Sequence, residues 1–494
     1  MSADLWWLIE DKTPEFGDTN MDDEKDSTNL LSRRTFVGSM AAAAGIMVVP
    51  RRVLGGPRYQ APSDTVNVAT VGYAHGMGRS NTNAVGKVAN VVALCDCDES
   101  EAAQRSIARS KIWENFPKAV HYRDFRVMLE KQKDIDAVIV ATPDHTHAVV
   151  AMAAMQLGKH VYVQKPLTRT VSEARALTEA ARKYKVISQM GNQGRSGEGV
   201  RLIDEWLADG AIGDVTEVHC WTNRPIWPQG MQRPADTPPV PDGLDWDMWI
   251  GPSPMRPYHT AYHPFSWRAW WDFGAGALGD MACHVMDASY STLRLGYPTS
   301  VTTYLAYNVV AVPREGGGTR NERIKYNDSF PPACMVHYTF PARKVGKKQY
   351  PAVKLHWYDG GLMPERPEEL ELDRRLPESG TIFVGKKGKL MCETYSESPR
   401  LIPESKMQAY KRPKKGARIQ GSHEQNWIEA IQGKAQCTSP FDYSGPFTET
   451  VLLGNVAAQF PGQKLLWDGN ALKFTNSEDA NKAIQHNYRS GWSL

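Results

Sequence analysis

The chain has 494 residues, more than one ordinary hydrophobic core accommodates, so two domains with extensions are expected. Its composition is ordinary for a globular protein, with 41% hydrophobic residues, 23% charged residues and a formal net charge of +3. This balance offers no basic field to nucleic acid and no long acidic tail, so we predict no nucleic-acid partner.

The N-terminus carries a pattern typical of export. Ser32-Arg33-Arg34-Thr35-Phe36 precedes an apolar, alanine-rich stretch from Val37 to Pro50. A paired arginine before a mildly hydrophobic segment is typical of a twin-arginine signal. The stretch is too short to form a stable membrane anchor. The alternatives are a disordered basic N-terminus or a buried helix. We predict that residues 1–60 are a signal and linker, and that the protein is periplasmic or otherwise exported, with no stable membrane span.

A short strand, a glycine-rich turn and a helix come next. The β-branched run Val66–Val71 ends in Gly72-Tyr73-Ala74-His75-Gly76-Met77-Gly78-Arg79. Glycines let the backbone approach a pyrophosphate, and the helix N-terminus supplies N–H donors. The turn departs from G-x-G-x-x-G because Ala74 replaces the second glycine and the turn is one residue longer. The predicted cofactor contacts here are Gly72, Ala74, Gly76, Met77 and Gly78.

Three further apolar runs end in polar residues. Val91–Cys95 ends at Asp96, whose carboxylate is placed to bind the adenosine ribose, which favours NAD over NADP. Ala137–Ala141 precedes Thr142-Pro143-Asp144-His145-Thr146-His147, and His160–Val163 precedes Gln164-Lys165-Pro166. With helices between them, the strands predict a doubly wound parallel sheet over residues 61–188, with ligands at the strand ends. The predicted cofactor contacts at these ends are Asp96, Thr142, Pro143, His147 and Lys165.

These motifs together resemble the glucose–fructose oxidoreductase / inositol dehydrogenase family (Gfo/Idh/MocA). The resemblance rests on the glycine turn, residues 141–147, Lys165-Pro166 and the segment Gly274–His284, and it covers the chain from about residue 65 to the C-terminus. It implies an NAD-dependent oxidoreductase acting on a hydroxyl of a sugar, glycoside or cyclitol. It also implies that Lys165, Asp280 and His284 form the catalytic group. One departure is Gln164, where the family usually has a glutamate; its loss removes a negative charge beside Lys165.

The chemistry of these three side chains supports the implied roles. Oxidation of a hydroxyl removes a proton as hydride leaves the carbon, and a histidine suits that proton transfer. The i, i+4 spacing of Asp280 and His284 places both on one face of a helix. The charge of Lys165 favours a deprotonated substrate oxygen or lowers the pKa of the histidine. The structural alternatives are a surface lysine and a satisfied core histidine.

Residues 189–494 predict an α+β domain with an open, largely antiparallel sheet, for substrate binding and oligomerisation. A helix over 197–209 and a strand over 215–222 precede later β-rich runs. Between them, Asn223–Trp271 is rich in proline, tryptophan and arginine, and its aromatic content argues for order. We expect a carbohydrate substrate and a homo-oligomer. The predicted substrate contacts are Asn192, His263, Arg268, Trp270, Trp271 and Asp272. The alternative is a structural cover or an oligomer contact.

A metal site is a second alternative for the histidines. Its candidate ligands are His259, His263, Asp280 and His284. Because Pro257 and Pro264 disfavour a regular helix around the first two, we predict no metal.

Three functions remain open at this point. The first is a dehydrogenase with tightly bound NAD, because a twin-arginine substrate crosses the membrane folded and nicotinamide cofactors are scarce outside. The second is a glycosidase or lyase that oxidises its substrate transiently and returns the hydride. The third is a non-catalytic binding protein that retains the fold.

Overall fold

The computed structural model describes residues 65–494, so the predicted twin-arginine signal lies outside the described residues. Within residues 65–494, no helix is both long enough and apolar enough to traverse a bilayer.

The first sheet has six parallel strands in the order β3-β2-β1-β4-β5-β6. Val71 pairs with Cys95 on one side and Val140 on the other, so the carboxyl ends of the central strands are level. Every residue of β4 is buried, as expected for a strand covered on both faces. The strands are β1 (Asn67–Val71), β2 (Asn90–Cys95), β3 (Val120–Tyr122), β4 (Ala137–Val140), β5 (His160–Val163) and β6 (Ser188–Met190).

Helices connect these strands. A capping box starts the last of them: the Thr170 hydroxyl accepts from the Glu173 N–H, and the Glu173 carboxylate accepts from the Thr170 N–H. The helices are α1 (Met77–Val85), α2 (Glu101–Ser110), α3 (Ile112–Asn115), α4 (Phe125–Lys131), α5 (Asp144–Gln156) and α6 (Val171–Tyr184). This confirms the predicted doubly wound parallel sheet.

The second sheet has nine strands in the order β17-β16-β15-β7-β14-β11-β8-β18-β19. Its one parallel pair is β7 with β14, which confirms a largely antiparallel sheet. The strands of this sheet are β7 (Val215–Trp221), β8 (Ser300–Leu305), β11 (Cys334–Phe340), β14 (Val353–Tyr358), β15 (Gly380–Gly385), β16 (Gly388–Glu393), β17 (Arg400–Ile402), β18 (Leu465–Asp468) and β19 (Lys473–Phe474). Two separate two-stranded sheets are formed by β9 (Val309–Pro313) with β10 (Thr319–Arg323) and by β12 (Arg343–Val345) with β13 (Lys348–Tyr350).

The remaining helices join the two sheets. The longest, α13, packs against α6 and α9, and its fully buried Glu449 pairs with Arg175 of α6 at 2.8 Å. Helix α9 carries the predicted catalytic Asp280 and His284. The helices are α7 (Glu198–Ala208), α8 (Trp246–Ile250), α9 (Gly276–Val285), α10 (Asp287–Thr292), α11 (Glu404–Ala409), α12 (His423–Ile431), α13 (Phe441–Ala458) and α14 (Glu478–Ala483), with 3-10 turns at Gln193–Ser196 and Ser266–Ala269.

The aromatic segment 223–271 contains α8 and the second 3-10 turn, and it forms a hydrophobic core of its own. Trp246 and Trp249 stack with ring centroids 4.7 Å apart, and Tyr262 meets the edge of Trp270 at 4.9 Å. Most of its aromatic rings therefore hold the segment together, as expected for aromatic pairs in a core.

Candidate functional site

A cavity of about 270 Å³ opens at the carboxyl ends of β1, β2, β4 and β5. Its wall combines the glycine turn, the residues after each strand, and part of the aromatic segment. Trp249 and Trp492 also line it, so chain from α8 and from the C-terminal end covers the strand ends. This is where an open α/β sheet binds its ligand.

The glycine turn is shaped by close backbone packing on one side and open space on the other. A side chain at Gly78 would overlap the carbonyl of Gly72, so α1 packs directly on the turn. Gly76 precedes α1 with φ +56, and an added Cβ there meets nothing within 4 Å. The N-terminus of α1 therefore faces free space in the cavity, with Gly72, Gly76 and Met77 in its wall.

Asp96 braces this turn. Its carboxylate accepts hydrogen bonds from the N–H of Ala74 at 2.7 Å and from the N–H of Asp98 at 3.1 Å. Burial raises the pKa of Asp96 despite these donors. Ala74 is fully buried, so its N–H is committed to Asp96 while the carboxylate still lines the cavity.

Asp98 forms a hydrogen-bonded junction that the sequence did not predict. Its Oδ2 lies 2.7 Å from His75 Nε2 and 3.0 Å from His263 Nε2, and its Oδ1 accepts from the Ser100 N–H at 2.9 Å. Although burial opposes ionisation, the hydrogen bonds from His263 and His75 hold the pKa of Asp98 well below its ordinary value. We call these three side chains the His75–Asp98–His263 junction. His263, predicted to contact substrate, thus joins the aromatic segment to the glycine turn.

The segment after β4 contacts the turn after β5 through His147. His147 Nδ1 lies 2.9 Å from the carbonyl of Pro166, and Nε2 lies 2.9 Å from the carbonyl of Thr142. Burial lowers the pKa of His147 to about 4, so the ring is neutral and its single N–H donates to one of these two carbonyls. Thr142, Pro143 and His147 all line the cavity, as the predicted cofactor contacts require.

Lys165 and Asp280 meet at the end of β5. Lys165 Nζ donates to Asp280 Oδ1 at 3.0 Å and to the main-chain oxygen of Asp280 at 2.7 Å. Both side chains are 13% exposed. Although burial opposes ionisation, the charges of Lys165 and Arg268 hold the pKa of Asp280 well below its ordinary value. Two of the three predicted catalytic residues are therefore in direct contact.

His284 lies one turn after Asp280 on α9 and is 4% exposed. Burial and the nearby charge of Lys165 hold the pKa of His284 well below its ordinary value, so the imidazole is neutral. Its Nδ1 is buried without a hydrogen-bond partner among the described residues. The ring of Tyr395, from the turn after β16, meets it edge-on with centroids 4.7 Å apart. Tyr395 is a neighbour that the sequence did not reveal.

Two arginines surround the same carboxylate. Arg268, a predicted substrate contact, places Nε 3.2 Å from Asp280 Oδ1 and stacks on Trp267 at 4.1 Å. Arg224, which was not predicted, places Nε 4.0 Å from Asp280 Oδ2. Burial raises the pKa of nearby Asp144 to about 7, although Arg268 and Lys165 oppose this. The Asp280 cluster is thus rich in positive charge.

Asn192, a predicted substrate contact, bonds to a different carboxylate, that of Asp287. It follows β6 and donates to Asp287 Oδ1 at 3.0 Å, where the Tyr443 hydroxyl also donates at 2.7 Å. Asn192 Oδ1 and Asp287 Oδ2 are both buried without a partner among the described residues. Asp287 continues the helical spacing of Asp280 and His284 at i+7, a signal that could have identified it from sequence.

The aromatic candidates lie elsewhere. Trp270 is fully buried and donates to the carbonyl of Ala261 at 2.7 Å, so its ring belongs to the core of the aromatic segment. Trp271 and Asp272 line a different cavity, and Asp272 pairs with Arg256. The structure does not bring these three predicted substrate contacts to the cavity that holds Lys165.

Gln164, the departure from the family pattern, is part of a buried polar chain. Its Nε2 donates to Asn81 Oδ1 at 2.8 Å, and Asn81 Nδ2 donates to Glu424 Oε1 at 2.7 Å. The negative charge expected beside Lys165 is therefore replaced by an amide, and a carboxylate from α12 ends the chain.

The structure does not bring the four alternative metal ligands together in one site. His259 instead lies 3.3 Å from Asp236. Among residues 65–494, the group whose geometry suits a metal ion is His75, Asp98 and His263. There, hydrogen bonds already satisfy the Asp98 carboxylate.

Two family models match the chain. Residues 66–192 match the NAD-binding Rossmann fold of the oxidoreductase family GFO_IDH_MocA, and residues 212–296 match the C-terminal alpha/beta domain of that family. The N-terminal domain is thus an NAD-binding Rossmann domain.

Curated relatives match over part of their length. A levoglucosan dehydrogenase from Pseudarthrobacter phenanthrenivorans is 29% identical over 196 residues, which are 40% of this chain and 42% of the relative. Inositol 2-dehydrogenase 1 from Saccharopolyspora erythraea is 34% identical over 133 residues, which are 27% of this chain and 37% of the relative. The aligned region spans less than half of either relative.

Solved structures share the fold over most of the chain. The WlbA dehydrogenase from Bordetella pertussis, solved with NADH and UDP-GlcNAcA, has a TM-score of 0.55 and 16% identity, covering 82% of this chain and 99% of that one. An NAD-binding protein from Listeria innocua has a TM-score of 0.52 and 16% identity, covering 81% and 97%.

Proposed function

We propose that the chain belongs to the Gfo/Idh/MocA oxidoreductase family, whose models match residues 66–192 and 212–296, and that it oxidises a hydroxyl of a sugar, glycoside or cyclitol with NAD. The observation that carries the proposal is the contact between Lys165 and Asp280 at the end of β5, with His284 one helical turn further on. The dehydrogenases among its partial relatives support the same class of substrate.

The residues at the glycine turn fit a dinucleotide. The N-terminus of α1 faces free space at Gly76, which suits a pyrophosphate because helix N–H groups and the helix dipole favour an anion. Asp96 stands at the end of β2, where a carboxylate binds ribose hydroxyls and repels a 2′-phosphate. This supports NAD over NADP.

The chemistry divides among the chain's own residues. Bound NAD supplies the hydride acceptor. The neutral imidazole of His284 accepts the proton of the substrate hydroxyl, and Asp280 lies one turn away to stabilise the resulting positive charge. The charges of Lys165 and Arg268 favour the substrate oxygen as it loses its proton. Lys165 is held for this role by two hydrogen bonds to Asp280.

Retention of the cofactor and export are part of the proposal. The His75–Asp98–His263 junction fastens the aromatic segment to the glycine turn, and Trp249 and Trp492 cover the same cavity. The pattern at residues 32–50 supports passage across the membrane in the folded state. A cofactor that stays bound must recover its starting redox state within the site, either from a second substrate or from the first.

Retention of the cofactor, which the junction supports, also favours a second candidate, an NAD-dependent glycosidase or lyase. In such an enzyme the substrate is oxidised, the aglycone is eliminated and the hydride returns to the product. The net reaction is cleavage without net NADH formation.

Mass spectrometry of the denatured, purified protein tests retention, and we expect about one NAD(H) per chain. A panel of sugars, cyclitols and nitrophenyl glycosides then tests turnover by absorbance at the NADH and nitrophenolate wavelengths. Lys165→Ala should lower either activity about 100-fold or more while the bound nucleotide remains. The matched control is Lys118→Ala, at an exposed lysine between α3 and β3 that does not line the cavity. Unchanged activity in Lys165→Ala would contradict the proposal.

A further inference from the structure

Positive charge exceeds negative charge around Asp280. Lys165, Arg268 and Arg224 all approach this one carboxylate, at 3.0, 3.2 and 4.0 Å. Among residues 65–494, Asp144 is a second carboxyl group that interacts with Lys165 and Arg268, and burial raises its pKa to about 7. Even with both carboxylates ionised, three cations face two anions. The surplus is at least one positive charge.

Arg224 is the least committed of these cations. Its ion pair with Asp280 is long, at 4.0 Å, and its side chain is 30% exposed. Arg268 is held more firmly, because it donates from Nε to Asp280 and from Nη1 to the carbonyl of Phe265 at 3.1 Å. A guanidinium that is partly removed from water and incompletely paired costs free energy unless an anion completes it. Guanidinium groups bind carboxylates with two parallel hydrogen bonds.

We propose that the substrate carries a carboxylate that binds Arg224, beside the hydroxyl that is oxidised, so that the preferred substrate class is an acidic sugar or its glycoside. This rests on the proposed function for the oxidation step and adds the class of substrate. The neighbouring Arg268 contributes charge from the side that lines the nucleotide cavity. Asp280 lies between the two arginines and remains paired with Lys165, so Arg224 binds the carboxylate while Lys165 and His284 serve the oxidation step.

Matched substrates test this on the full-length protein with its bound cofactor. The probes are a nitrophenyl glucuronide and the corresponding glucoside, which differ in the carboxylate. We expect kcat/KM for the glucuronide to exceed that for the glucoside by about tenfold or more, through KM. Arg224→Gln should remove this preference while Arg224→Lys keeps part of it. The control is Arg109→Gln, at an exposed position on α2.

Binding measured by calorimetry separates this inference from the proposed function. If glucuronate binds more tightly than glucose and Arg224→Gln removes the difference, recognition of the carboxylate stands even if neither compound is oxidised. The inference is overturned if kcat/KM is equal for neutral and acidic sugars, or if Arg224→Gln leaves the preference unchanged. The oxidoreductase function stands in either case.

Discussion

His263 Nε2 lies 3.0 Å from Asp98 Oδ2, which joins the aromatic segment to the carboxyl end of β2. The same oxygen is 2.7 Å from His75 Nε2 in the glycine turn. Asp98 is 1% exposed, and the three donors that surround it favour its ionised form. Two segments that cover the cofactor cavity are thus fastened through one buried carboxylate. We expect release of a bound dinucleotide to require this junction to open.

We predict that His263→Phe releases the cofactor faster. Phenylalanine fills similar space but donates no hydrogen bond to Asp98. Loss of one hydrogen bond to a charged group should raise the dissociation rate of NADH about 10- to 100-fold. The change is measured by stopped-flow detection of NADH fluorescence after the NADH complex is mixed with excess NAD. His263→Gln is the matched control, because its amide can donate to Asp98, and it should release the cofactor nearly as slowly as the wild type. Equal rates in all three proteins would contradict a role for the junction.

We predict that Gln164→Glu destabilises the protein. The new carboxylate would face Asn81 Oδ1, which now accepts the amide hydrogen bond, and Asn81 cannot rotate its amide without losing its bond to Glu424. A buried acceptor without a donor costs about 1–3 kcal/mol. Thermal unfolding measures the loss.

Glu424→Gln supplies the control for this chain of amides. Alone it should have little effect, since the glutamine oxygen still accepts from Asn81. Combined with Gln164→Glu it should restore stability. The amide introduced at position 424 can then donate to Asn81, and Asn81 can in turn donate to the carboxylate introduced at position 164. An additive loss in the double variant would show that the chain is not coupled.

We predict that Asp144→Asn makes stability less dependent on pH. Burial raises the pKa of Asp144 from 3.8 to about 7, against the opposing charges of Arg268 and Lys165. The folded state therefore holds the proton more tightly than the unfolded state. This stabilisation is complete below about pH 4 and is lost as the pH rises to about 7, with an upper bound of about 4 kcal/mol. The Tm of Asp144→Asn minus that of the wild type should thus be larger at pH 7.5 than at pH 4.5. Asp373→Asn, at an exposed carboxylate, should show no such trend.

The two sheets follow from local patterns in the sequence, whereas the grouping of Lys165 with Asp280 was implied by the resemblance to the Gfo/Idh/MocA family. Apolar runs with polar residues at their ends predict parallel strands whose ends form a site, and i, i+4 spacing places Asp280 and His284 together. Because strand and helix patterns alternate along the chain, each predicted element supports the assignment of its neighbours.

The aromatic segment has no helix or strand periodicity. The sequence therefore did not predict which of its side chains face the site. Trp270 points into the core and Arg224 approaches Asp280 because of packing between distant parts of the chain. Tyr395 reaches His284 from a turn more than one hundred residues away. Side-chain direction in irregular backbone is set by these tertiary contacts, so composition alone identified the segment but not its members.

The charge state of His284 provides a last prediction, with opposite signs for two variants. Burial and Lys165 lower the pKa of His284, whereas Asp280 raises it. Removing the lysine charge in Lys165→Met should raise the pKa, and removing the carboxylate charge in Asp280→Asn should lower it further. NMR titration of ¹³C-labelled histidine, with His284→Gln to assign the signal, measures each shift without depending on turnover. In the wild type this signal should not titrate between pH 8 and about pH 6, because the ring is already neutral there. Titration near 6.5, or shifts of the same sign in both variants, would show that His284 does not sense these two charges.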